Sequence, residues 1–163
     1  MPCIGTTRFN SRTWEENKQW REKNKHEGCI YGSPMRIKEN IYVGDLVFIL
    51  EMNNDINKIE GIGIIKNTVY ADKSYRIYKD GNYNRFIYKS DYRIDRKQLT
   101  RYEEKILELF DILVFKGSKH LKRGQGITQI PKWIYENKHF DFIKFFKKIF
   151  IKHLRNNYET LGK

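Results

Sequence analysis

The segment Lys116-Gly117-Ser118-Lys119-His120-Leu121-Lys122-Arg123-Gly124-Gln125-Gly126 is the part of this chain best equipped to hold an anion. Its three glycines let backbone N–H groups come close to a phosphate, and four cations surround them. Arg123 and Gln125 carry donors suited to a base edge or a phosphate. Lys116, Lys119, His120 and Lys122 are better suited to act as charges against phosphate. The Gly-x4-Gly-Lys-Ser/Thr spacing of a nucleotide-triphosphate loop is absent. A solvated loop with no ligand is the competing reading.

Aromatic side chains offer the second kind of chemistry, since a base taken out of its stack needs a ring to lie against. Trp14, Trp20, Tyr31 and Trp133 are the candidates. Trp20, mid-helix, and Trp133, beside Pro131, read equally as core anchors. At the N-terminus Thr6, Thr7, Arg8 and Asn10 combine hydroxyl, guanidinium and amide groups within five residues, and they also read as a strand end and a helix cap.

Catalytic and metal signatures are missing from the pattern, and no cofactor is implied. His26, His120, His139 and His153 form no pair with each other or with a carboxylate at metal spacing, and Cys3 and Cys29 are too few for a four-ligand zinc site. No serine elbow, kinase set or His-Glu-x-x-His occurs. The expectation is a non-enzymatic protein with no metal.

The composition agrees with a polyanion partner. The 163 residues carry 32 Lys and Arg against 20 Asp and Glu, a formal charge of +12. Residues 101–163 hold 14 bases and 7 acids, a net +7, and no acid lies between Ile112 and Tyr135. Such a field draws nucleic acid and makes binding salt-dependent. With 39% hydrophobic and 15% aromatic residues there is enough apolar mass for a core. No run is long enough to span a bilayer, and no leader is expected. Two cysteines read as reduced thiols of an intracellular protein. A monomer is expected.

These groups must be positioned by local structure. Residues 2–10 read as a strand. Ser11–Asn24 reads as a helix with a Ser or Thr cap. Gly28–Pro34 is a short extended piece. Ile41–Met52 and Ile59–Ile65 form a hairpin about Asn53-Asn54-Asp55, with Gly61 and Gly63 marking a bend or a close backbone approach. From Tyr70 to Leu99 polar and aromatic residues alternate, which predicts strands around Tyr75 and Ile77, Phe86 and Tyr88, and Tyr92 and Ile94. A helix over 102–115, a short strand over 127–130 and one helix over 132–158 complete the chain. In that last helix Phe142, Phe145, Phe146, Ile149 and Phe150 oppose Lys144, Lys148, Lys152 and Arg155. This order predicts an α+β chain with a mixed or antiparallel barrel in a single domain, its barrel over about 2–131 and a helical extension over about 132–163.

Two stretches resemble a known family. Val43-Gly44-Asp45-Leu46-Val47-Phe48-Ile49 followed by Ile59-Glu60-Gly61-Ile62-Gly63-Ile64 is similar to a hairpin of EVE domains, which belong to the PUA-like superfamily with YTH and ASCH domains. Leu121-Lys122-Arg123-Gly124-Gln125-Gly126-Ile127-Thr128-Gln129-Ile130-Pro131, with Trp133 after it, resembles that family's late Leu-x-Arg … Pro … Trp stretch. The resemblance implies a PUA-like β-barrel flanked by helices, binding nucleic acid through a pocket for an extruded base such as methylated adenine or modified cytosine. It sets Tyr31 near the stacking position of YTH relatives and puts Thr6, Thr7, Arg8, Asn10 and Ser33 beside the pocket. Base contacts are thus expected from Tyr31, Trp14, Trp133, Thr6, Thr7, Asn10, Ser33, Arg123 and Gln125. Phosphate contacts are expected from Arg8, Lys116, Lys119, His120 and Lys122. The likeness to ASCH domains also implies an alternative, a hydrolase or deaminase of modified nucleosides using Lys119 or Lys122 with Thr128 and Glu51.

Overall fold

The computed structural model describes residues 2–161, with side chains to 156. It is a mixed α+β arrangement. Strand β1 (Cys3–Phe9) leads into α1 (Ser11–Lys23), then β2 (Cys29–Ser33), β3 (Leu46–Asn53) and β4 (Lys58–Lys66). After β5 (Phe86–Ser90) and β6 (Arg93–Asp95) come α2 (Arg101–Phe115), β7 (Thr128–Gln129), α3 (Lys132–Tyr135) and α4 (Phe142–Leu161).

Five strands form one sheet in the order β6-β4-β3-β1-β7, and β2 pairs with β5 in a second. Strand β1 runs parallel to β3, with Ile4 opposite Phe48, and the other ladders are antiparallel. Among the described residues no hydrogen-bonded ladder closes these strands into a barrel.

Alternation along β3 explains why a nearly continuous apolar run contains a glutamate. Phe48, Leu50 and Met52 face α2 and α4, among Leu107, Phe110, Val114, Phe146 and Phe150. Val47 and Ile49 face the opposite way, onto β2 and β5 with Ile30, Tyr31 and Tyr88. Both faces are therefore covered, so both must be apolar. Glu51 is the exception, and the register of β3 against β4 shifts between Leu50 and Met52. Its carboxylate is 1% exposed and paired to Arg93, with Nη2 at 2.6 Å and Nε at 3.0 Å. The Tyr31 hydroxyl donates to the same carboxylate at 2.6 Å. Gly63 makes this possible, since a Cβ there would collide with the Tyr31 hydroxyl and come within 2.8 Å of Cys29 Sγ.

Several expected elements differ. Asn10, rather than a Ser or Thr, caps α1 in a reciprocal pair with Thr13. Strand β3 begins at Leu46, five residues later than expected, because 41–45 form a turn tied to Asn67. The run around Tyr75 and Ile77 is no strand. Its backbone groups bond to the Asn84 side chain, which accepts from Ile77 N and Tyr78 N and donates to Tyr78 O, replacing a partner strand. The tail is two helices, because Asn137 turns the chain: its side chain donates to Ile134 O and accepts from His139 N and Phe140 N. Asp141 then opens α4 by accepting from Lys144 N.

Candidate nucleic-acid interface

The end of β1 and the first turn of α1 form one wall of a cavity of about 430 Å³. Thr7, Arg8, Phe9, Asn10, Arg12 and Glu16 come from this wall. Facing it are Lys122, Arg123, Gly124, Gln125 and Gly126, while Tyr78, Asp80 and Tyr83 close a third side. The glycine-and-cation segment and the N-terminal polar cluster, more than a hundred residues apart, thus share one cavity.

Arg8 holds the two together. Its Nη1 donates to Thr6 Oγ1 at 3.0 Å and Leu121 O at 3.1 Å; its Nη2 donates to Gly126 O at 2.6 Å and Thr128 Oγ1 at 3.2 Å. Every one of these acceptors is neutral. Withdrawal from water therefore goes uncompensated by a carboxylate and pulls the Arg8 pKa down to about 10. Gly124 permits the loop to close, since a Cβ there would sit 2.8 Å from Arg8 Cζ. Arg8 Nε and Asn54 Oδ1, both on cavity-lining residues, are buried with no hydrogen-bond partner. The other Asn54 amide atom is fixed by donating to Lys122 O at 3.0 Å, which leaves Oδ1 as the acceptor.

The expected residues divide. Thr7, Arg8, Asn10, Lys122, Arg123 and Gln125 line the cavity. Thr6 does not, and is spent orienting Arg8. Ser33 is fully buried and bonded to Met35, donating to its carbonyl at 2.6 Å. Lys116 and Lys119 are exposed away from the cavity lining, and the His120 ring accepts from Lys122 N at 3.2 Å. Trp133 is 58% exposed on α3, outside the lining. Trp14 stacks edgewise on Phe9 at 5.5 Å with the Arg21 and Arg93 guanidiniums at 5.3 and 5.1 Å from its ring.

Tyr31 is the clearest correction. It is 1% exposed, its hydroxyl is held by Glu51, and burial followed by the Glu51 charge pushes its pKa well up. Its ring has no open face for a base. Among the tyrosines it is Tyr83 that lines the cavity with a part-open ring: it is 38% exposed and meets Tyr78 edge-on at 6.3 Å. Tyr78 is fixed from behind, because Asn17 donates to its hydroxyl at 2.9 Å and to Ile30 O at 2.7 Å. The Asp80-Gly81-Asn82 turn and Tyr83 beside it were visible in the sequence, but their distance from 122–126 along the chain hid the association.

The Lys, Thr and Glu of the hydrolytic alternative are not assembled. Glu51 is sealed against Arg93 and Tyr31, Thr128 bonds to Arg8, and only Lys122 reaches the cavity. Among the described residues no group of three or more His, Cys, Asp or Glu could hold a metal ion. Among the described residues no helix is long and apolar enough to cross a membrane. No protein-family model, no curated protein and no solved structure matches this chain.

Proposed function

We propose that this protein binds nucleic acid and takes one extruded base into the cavity between Thr7–Asn10 and Lys122–Gly126. One observation carries the reading: the second half of the cation-and-glycine segment forms a wall of a cavity of about 430 Å³ that also presents a half-open tyrosine ring and the exposed polar side chains of Asn10 and Gln125. Those are the elements a base needs, namely a stacking face, edge-directed polar groups and charge beside the phosphates. Tyr83 lies against the base. Asn10 and Gln125 offer donors and acceptors to the base edge. Arg12, Lys122 and Arg123 neutralise flanking phosphates.

The resemblance to EVE and YTH domains points to methylated adenine or modified cytosine as the guest. The strand arrangement supports a PUA-type reading. The five-stranded sheet passes from β6 through Asp91 and Tyr92 into β5 and so to β2, with Tyr92 O accepting from Ile64 N at 3.3 Å. The remaining seam, from β2 to β7, is a packing contact of Gly126 against Ser33 instead of a ladder.

Fluorescence anisotropy of labelled DNA and RNA strands, with and without modified bases, tests this at several salt concentrations. Affinity is expected to fall steeply with salt, and Lys122→Gln to reduce the slope of log K on log salt by about 0.7 on single strands. Binding that ignores salt, or a Lys122→Gln slope equal to the parent's, refutes the reading.

A further inference from the structure

A second cavity of about 410 Å³ adjoins the first. Glu16, Gln19, Trp20, Lys23 and Asn24 line it from α1, and Lys73, Ser74, Tyr75, Arg76 and Ile77 from the opposite bank. The two cavities share Glu16, and their banks are continuous. Arg12, Glu16, Trp20 and Lys23 recur at helical spacing on one face of α1, a length of about 16 Å. On the other side the chain runs without interruption from Lys73 to Tyr83. Hydrogen bonds cross between them at Lys79 N, which donates to Glu16 Oε2 at 2.6 Å, and at Asn17, which donates to the Tyr78 hydroxyl at 2.9 Å.

The chemistry of this extension is that of a strand-binding groove. Lys23, Lys73 and Arg76 are exposed cations, and the lone lining carboxylate, Glu16, is engaged by Lys79 N and by Arg12 at 3.6 Å. Trp20, half-buried, lies over Tyr75 with ring centroids 6.0 Å apart and a 50° tilt. Lys73 Nζ stands 5.0 Å from the Tyr75 ring. Tyr75 is 3% exposed and braces Trp20 from beneath, so the half-buried Trp20 ring between flexible cations is the face for a base of any identity, which is how single strands are bound without sequence preference.

We infer that the groove between α1 and residues 73–83 is a second nucleotide subsite, carrying a single strand of DNA or RNA onward from the base cavity. This rests on the function proposed above, and it adds a direction and a length to the bound strand. It assigns stacking to Trp20 and phosphate contacts to Lys23, Lys73 and Arg76, none of which touches the base cavity.

The test compares single strands of about 3 and about 12 nucleotides on the parent protein and on Lys73→Gln/Arg76→Gln, whose altered side chains are exposed. The parent is expected to bind the longer strand about 5- to 150-fold more tightly, the equivalent of one stacked base. The double variant is expected to keep parent affinity for the short strand, lose most of that gain, and lower the salt slope on the long strand by about 1.4. A length gain and slope unchanged in the variant overturn the inference, as does a duplex binding as tightly as the long single strand. Failure of the base cavity alone reads differently: Lys122→Gln then leaves short-strand binding untouched, while the length gain still depends on Lys73 and Arg76.

Discussion

Tyr31 and Tyr83 should answer mutation in opposite ways, and the structure sets the sizes. Tyr31→Phe keeps the ring and deletes only the hydroxyl that bonds Glu51 at 2.6 Å. A hydrogen bond to a buried charged acceptor contributes about 1.5–3 kcal/mol. For a chain of 163 residues each kcal/mol moves Tm by roughly 2–4 °C, so a fall of about 3–12 °C is expected. Tyr31→Leu also opens a void beneath β4 and should cost more, while affinity for a nucleic-acid strand well below the melt stays at the parent value. Tyr83→Ala reverses the pattern. Its ring is 38% exposed and meets Tyr78 edge-on, so the stability change should be smaller than that of Tyr31→Leu. Binding should weaken by about 1–3 kcal/mol through lost stacking. Scanning calorimetry and urea melts at matched slope give the first quantity, and anisotropy titration gives the second. The assignment is refuted if Tyr31→Phe melts within about 1 °C of the parent, or if Tyr31→Leu weakens binding while Tyr83→Ala does not.

Arg8→Leu removes the donor from the Leu121 and Gly126 carbonyls and leaves the Thr6 and Thr128 hydroxyls only each other, at 3.3 Å. Hydrogen exchange at amides of residues 121–128 should accelerate by at least about tenfold, the equivalent of about 1.4 kcal/mol, and unchanged protection would show that Arg8 does not pin the loop. Glu103 ties α2 to α4 through Lys152 Nζ at 2.7 Å. Burial opposes its charge, yet the bonds from Lys152 and Thr100 prevail and set its pKa below the usual value of 4.5. A carboxyl lowered in the folded state contributes stability above the unfolded pKa and loses it as pH falls through the folded one. Acid titration should therefore loosen α4 below about pH 4.5, and Glu103→Gln should flatten that part of the Tm-against-pH curve. Burial, the leading cause at both sites, pushes the Cys3 and Cys29 thiols up to about 11. Iodoacetamide at pH 8 should leave both unmodified in the native protein and label both in denaturant; rapid native labelling by mass spectrometry would contradict the packing.

Local pattern was enough for much of this molecule. The periodicity of Ile106, Leu109, Phe110 and Leu113 specified a helix at α2, although the face that is buried is the adjoining one, Leu107, Phe110 and Val114, with Leu109 43% exposed. The hairpin glycines announced a close approach, which Gly63 makes against Tyr31. The clustering of cations and glycines over 116–126 marked a segment whose second half, Lys122 to Gly126, forms one wall of the cavity. These features depend on neighbours within a few residues, and such neighbours are written side by side in the chain. Helix breaks at Asn137 and the loop around Tyr75 were missed because a side-chain amide supplied the backbone partner, and an asparagine's choice between water and backbone leaves no periodic trace.

Composition and spacing alone made this a basic α+β chain with one anion-ready loop. Only tertiary packing decided which tyrosine is wall and which is core. Tyr31 and Tyr83 are alike as residues, and both sit near a glycine. What separates them is that β3 carries Glu51 to the inner face and β6 brings Arg93 to meet it, so one hydroxyl is captured by a buried charge while the other ring is left open to the cavity.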